Sequence, residues 1–133
     1  MPVLTAPGGT RVRRVERRWP PWVYRGGSEP DPRFSLANER TFLSWIRTAL
    51  AFLAGGVALQ ALPLAIHPTT RHWLGITFLA LAVLTAAAGW VRWARAERAM
   101  RRQEPLPGAI LGALIAAAVV LTAVVLLVTL GVG

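Results

Sequence analysis

Arg33, Arg40 and Arg47 recur at intervals of seven residues. Two helical turns separate each pair, so on a continuous helix the three guanidinium groups share one face, drifting by about 20° per step. Such a row suits anions. Guanidinium stays charged, and its planar fork makes two parallel hydrogen bonds to a phosphate-like group. The same face continues through Ser44, Ala51, Ala54, Gly55 and Ala58. The arginines therefore run into a strip of small residues, which fits a close subunit contact or a narrow passage better than it fits lipid. A second basic group follows at Arg92, Arg95, Arg98 and Arg102. It reads either as a topology signal with headgroup binding or as a multivalent anion site shared with Arg33 and Arg40. Asn38 and Glu39 lie beside the first row. Either they position or gate it, holding Arg40 or a later arginine through charge-assisted hydrogen bonds, or they are an ordinary solvated helix start.

The elements that carry these residues follow from hydropathy. The chain has 133 residues, of which 54% are hydrophobic, more than so short a chain buries as a water-soluble domain. Three apolar stretches, at about 41–62, 72–91 and 106–132, each reach the roughly 20 residues that span a bilayer. The expected fold is an all-α integral membrane protein with three transmembrane helices. A cytoplasmic or interfacial helical extension precedes the first. Its start is marked by Asp31-Pro32, a cap followed by proline at the first helical position, with Ser35 as a competing cap. Residues 31–133 form the membrane domain. Residues 1–30, rich in proline, glycine and arginine and without apolar periodicity, read as a flexible basic arm. Trp19, Trp22 and Tyr24 within it suit a lipid interface.

All 15 basic residues are arginine, and the net charge is +9. Eight arginines precede the first span, and Arg92, Arg95, Arg98, Arg101 and Arg102 lie between the second and third, whereas the first connection holds only Arg71. The positive-inside rule then places the N-terminus and the second connection in the cytoplasm and the C-terminus outside. A cleavable signal peptide is not expected, because the first apolar run starts late and is long enough to span. Arg47 lies inside the first span, where an arginine costs about 2.5–3.5 kcal/mol at mid-depth. It either points inward as a functional group or snorkels to the headgroups. The small residues Gly108, Gly112 and Ala116 in the third span, and Ala82 and Ala86 in the second, allow close helix packing within or between subunits.

Catalysis finds no support. Cysteine is absent, and the two histidines, His67 and His72, sit in the weakly charged connection without nearby acids. No metal, cofactor or catalytic set is expected. A nucleic-acid binder would explain the charge but not the three spans.

The run Ala37-Asn38-Glu39-Arg40-Thr41-Phe42-Leu43-Ser44-Trp45, with Asp31-Pro32-Arg33 before it and Ile46-Arg47-Thr48-Ala49-Leu50 after it, resembles the YidH-type membrane family, domain-of-unknown-function family 202. The resemblance covers about Asp31 to the C-terminus, fits the family's bacterial members and implies a place in the bacterial cell (inner) membrane. The same domain forms the membrane part of the fungal vacuolar transporter chaperone complex, which makes polyphosphate and moves it through a channel of several such domains. That likeness implies an oligomeric channel in which basic groups at the cytoplasmic mouth contact the polyanion. Arg33, Arg40 and Arg92 match those groups and Glu39 matches the family glutamate. Arg47 departs from the fungal pattern, which has an uncharged residue there. The expected function is thus a homo-oligomeric channel or channel-like subunit handling phosphate- or polyphosphate-like anions, with Arg33, Arg40, Arg47, Arg92 and Arg95 as anion ligands. The alternative is a non-conducting scaffold that binds anionic lipid headgroups and a partner membrane protein.

Overall fold

The computed structural model describes residues 18–131. Most of the basic arm, with Arg11, Arg13, Arg14 and Arg17, lies outside the described residues, as does Val132 at the end of the third stretch. Four helices follow in order: α1 (Pro21–Tyr24), α2 (Pro32–Ala61), α3 (Pro68–Arg102) and α4 (Ile110–Gly131). The last three are long and apolar enough to cross a membrane, and no strand occurs among the described residues.

The helix ends obey local chemistry. Asp31 caps α2, accepting a 2.9 Å hydrogen bond from the Arg33 backbone N–H, with Pro32 in the first position. Ser35, the competing cap, lies inside the helix. At 30 residues, α2 runs about 45 Å and outlasts the roughly 30 Å apolar core. The extension ahead of the first span is this surplus. His67 caps α3 through Nδ1, which accepts from the Thr69 N–H at 3.3 Å, and Pro68 again takes the first position. The second helix thus starts four residues before the apolar stretch at His72. Gln103 ends α3 in the left-handed region, φ 57°. Leu106 and Pro107 stay outside α4, which begins at Ile110 rather than at the edge of the apolar run, because Pro105 and Pro107 disfavour the helical conformation at the residues before them, Glu104 and Leu106.

Helices α2 and α3 form the core as an antiparallel hairpin. Its register is fixed by Ser35 against Glu97, Asn38 against Trp93, Phe42 against Trp90 and Phe52 against Phe78. The buried residues are mostly small: Ala49, Ala82, Ala94, Ala96 and Ala99, with Leu81 and Thr85. A Cβ on Gly89 would stand 2.7 Å from the Trp45 Cβ, so the helices approach closely because that residue has no side chain. By contrast α4 packs loosely, its backbone close only to α3 and its Gly112 beside the Trp45 ring of α2, and it buries none of its described residues. Its small-residue ladder makes no close contact: a Cβ on Gly108 would meet nothing within 4 Å, and one on Gly112 only the Trp45 ring at 3.9 Å.

Order begins before Asp31, where the sequence placed its onset. Residues 18–30 cross the arginine-rich end of the hairpin as a strap. Val23 is 1% exposed. The Ser28 N–H donates to the Arg101 carbonyl at 3.0 Å. Gly27 has φ 79° and lies so close to that carbonyl that no Cβ fits. The burial of Val23, which periodicity does not reveal, comes from α3 and not from α1 itself, which is a single helical turn.

Candidate functional site

The arginine row exists as a geometric feature. The α2 residues buried against α3 include Asn38 and Ala49. Arg40 and Arg47 each lie two residues from one of these, an offset of about 200° around the helix. Arg33, Arg40 and Arg47 therefore point away from α3. All three are exposed, and among the described residues none makes an ion pair. At the three arginines this face is uncovered by the rest of the chain, but the small-residue strip expected to continue it does not stay on it: Gly55 packs against Phe78 of α3, and Ser44 lines a cavity with Thr85 and Gly112.

Arg92 is elsewhere. It is half-buried and lines a cavity of about 180 Å3 with Asn38, Thr41, Leu106 and Pro107, which contains none of the other four arginines. Arg95 is exposed on α3, between buried Ala94 and Ala96. A single chain thus aligns Arg33, Arg40 and Arg47 but does not gather them with Arg92 or Arg95. A shared anion site needs further copies of the chain.

Asn38 is a clip between helices. It is 8% exposed, and its Nδ2 donates to the Trp93 carbonyl at 3.1 Å, while among the described residues no arginine donates to its side-chain oxygen. It fixes the rotation of α2 against α3, and through that the direction of the arginine row. Glu39 is exposed and, among the described residues, pairs with neither Arg40 nor an arginine of the last turns of α3. It lines a cavity with Phe42, Trp90 and Trp93.

Two charged residues outside the expected set are the most buried ones. Glu97 is 4% and Arg101 9% exposed, with Arg101 Nε 3.4 Å from Glu97 Oε1 and Ser35 Oγ donating to the same oxygen at 3.4 Å. The spacing of four residues foretells the pair, but not its burial. That comes from the strap, whose Tyr24 ring lies 4.5 Å from the Arg101 guanidinium carbon and whose Trp22 lies 6.0 Å from that of Arg98. Deeper in the hairpin, Ser44, Thr48 and Thr85 line a cavity of about 250 Å3 with Gly112 and Ile115 of α4. The hydroxyls of Thr41, Thr48, Thr77 and Thr122 each donate to the carbonyl four residues back, whereas buried Thr85 Oγ1 has no partner.

Similarity to known proteins coincides with this hairpin. The family model described as "Domain of unknown function (DUF202)" matches residues 33–99, from the first arginine of the row to the end of the buried stretch of α3. An uncharacterized protein of Mycobacterium tuberculosis H37Rv is 56% identical over 80 residues, 59% of this chain and 66% of its own length, just under two thirds. The inner membrane protein YidH of Escherichia coli K12 is 51% identical over 86 residues, 64% of this chain and 75% of its own. No solved structure matches. With half its length under the family model and its three apolar helices in place, this chain is a multi-pass membrane protein belonging to the YidH-like DUF202 family.

Proposed function

We propose that the chain is a subunit of an oligomeric membrane channel or channel-like assembly that handles phosphate- or polyphosphate-like anions through an arginine-lined cytoplasmic entrance. The observation that carries this reading is the exposed, unpaired row Arg33, Arg40 and Arg47 on the α2 face turned away from α3. A ring of identical chains with α2 innermost turns each member of the row into a circle of guanidinium groups. Circles of one sign focus the field and concentrate counter-ions, and ring-lined mouths of this kind select anions. Arg92 and Arg95 add charge around the same end, Asn38 holds the row's direction, and Arg47 carries the field into the membrane. The excess of arginine before α2 and in the last turns of α3 supports a cytoplasmic location for this end, and the likeness to YidH, an inner membrane protein, supports the bacterial inner membrane. The reading involves no catalytic step.

Anion flux from liposomes holding the intact oligomer tests it, comparing wild type with Arg40→Ala and Arg47→Ala. Each variant should lower flux several-fold while the oligomer persists. Wild type that forms the oligomer and passes no anion would overturn the reading. The second reading, a non-conducting scaffold binding anionic lipid and a partner membrane protein, draws on α4. Leu114, Leu121 and Leu127 on its apolar surface are exposed.

A further inference from the structure

The chain carries net charge +9 and only six carboxylates, yet two of them, Glu39 and Glu97, line one cavity. It has a volume of about 290 Å3 and sits at the arginine-rich end of the α2–α3 hairpin. It opens on the α2 edge that carries Ser35, Glu39 and Phe42, a different edge from that of the Arg92 cavity. Its apolar wall is aromatic. Trp90 and Trp93 stack with centroids 5.1 Å apart, and Phe42 meets Trp90 edge-on at 6.1 Å.

Carboxylates beside aromatic faces are the wrong chemistry for a phosphate and the right chemistry for an organic cation. The ring quadrupole attracts an ammonium group within about 6 Å, the ring surface takes up its methyl or methylene groups, and a carboxylate supplies the counter-charge. The two acids are not equivalent. Glu97 is buried and engaged by Ser35 and Arg101. Glu39 is exposed and, among the described residues, makes no ion pair, so the available negative charge is its own. The chain already sets one of its cations at the rim. Arg18 lines the cavity, with its Nη1 2.7 Å from Glu29 and its guanidinium carbon 5.9 Å from the Tyr24 ring centre. The tryptophans stand near the end of the apolar part of α3, the level at which aromatic belts meet headgroups.

We propose that this cavity binds an organic ammonium group, with Glu39 as counter-charge and Phe42, Trp90 and Trp93 as its wall. The group comes either from an amine-bearing lipid headgroup or from a soluble amine. The site is independent of the anion row and stands or falls apart from it.

Tryptophan emission reads the site directly, because two of its walls are indoles. The full chain in phosphatidylglycerol nanodiscs is titrated with tetramethylammonium chloride, and with sodium chloride at equal ionic strength. A saturable response to tetramethylammonium alone is expected. Glu39→Gln, which keeps size and shape at an exposed position, should weaken it about tenfold, and Glu104→Gln, an exposed acid beyond the end of α3, should leave it unchanged. Discs containing phosphatidylethanolamine separate the sources. Tetramethylammonium affinity falling about tenfold by competition assigns the site to the lipid amine, and an unchanged affinity assigns it to a soluble one. A response equalled by sodium, a Glu39→Gln protein that binds as tightly as wild type, or no saturable response from a protein of undiminished helicity would each overturn the proposal.

Discussion

Gly89→Ala and Gly112→Ala make the same chemical change within membrane helices and should move stability in opposite directions. At Gly89 the new methyl carbon would stand 2.7 Å from the Trp45 Cβ. Carbon atoms pack best at about 3.5–4.0 Å, so the pair is roughly an ångström too close. The opposing atom is attached to the α2 backbone and has no rotamer by which to withdraw. The helices must separate, and Asn38 and the Phe42–Trp90–Trp93 cluster lie along the same seam. Overpacking of this kind costs about 1–3 kcal/mol, against which alanine's better helix propensity returns up to about 1 kcal/mol. The net expectation is a loss of about 1–2 kcal/mol. At Gly112 the methyl would meet only the Trp45 ring at 3.9 Å, an ordinary contact, so the propensity gain stands alone and the variant should equal or exceed wild type. Thermal unfolding of both variants in one detergent, followed by helical circular dichroism, gives the comparison. Gly89→Ala unfolding at or above the wild-type temperature would refute the claim that this approach is closed to a side chain, and with it the α2–α3 register.

Two further outcomes follow from the strap and the pair beneath it. Glu97→Ala should cost about 3 kcal/mol, near the low end for one partner of a buried ion pair. The 3.4 Å separation is long and Arg101 Nε lacks a well-formed hydrogen bond; equilibrium unfolding measures the loss. Gly27→Ala should undock the strap, since the new Cβ collides with the Arg101 carbonyl and the residue sits at φ 79°. Limited proteolysis should then cut within residues 18–30 many times faster while leaving α2 and α3 intact.

What the residues reveal in advance depends on the range of the forces involved. The start of α2 was legible because Asp31 and Pro32 act on the next few backbone groups. The three spans were legible because length and apolarity suffice to place a helix in lipid, and the arginine row because a seven-residue interval survives any helix packing. The strap was not legible. Val23 is buried by α3, far along the chain, and one turn of helix has no period to detect. The cavity of Glu39 and Glu97 was hidden for a related reason, since it exists only in the register that sets Ser35 against Glu97 and Phe42 against Trp90. Asn38 and Glu39 adjoin in sequence, but helical rotation separates their roles. Asn38 turns into the seam to bind the Trp93 carbonyl, and Glu39 turns to the aromatic cavity. The ladder in the third apolar stretch signalled close packing that α4 does not make within one chain.

The arginine row and the exposed α4 bear on each other through symmetry. Rotation about the membrane normal keeps every residue at its own depth. Any closed ring with α2 innermost therefore stacks Arg33, Arg40 and Arg47 as three circles about 10.5 Å apart, from the rise of seven helical residues. That spacing is comparable to the screening length at physiological salt, so the circles repel across groups as well as within them. Low dielectric at the depth of Arg47 strengthens the repulsion. Nothing in a single chain offsets this charge, since the row has no acidic partner among the described residues. The offset must come from anions on the axis, which bind the ring and not the separated chains and so stabilise it by mass action. Lipid around a lone hairpin gives the opposite balance, with each guanidinium drawn to a headgroup phosphate and no reason for the rows to meet. Were such a ring to form, its assembly and its anion binding would be a single equilibrium, coupled by the unpaired row.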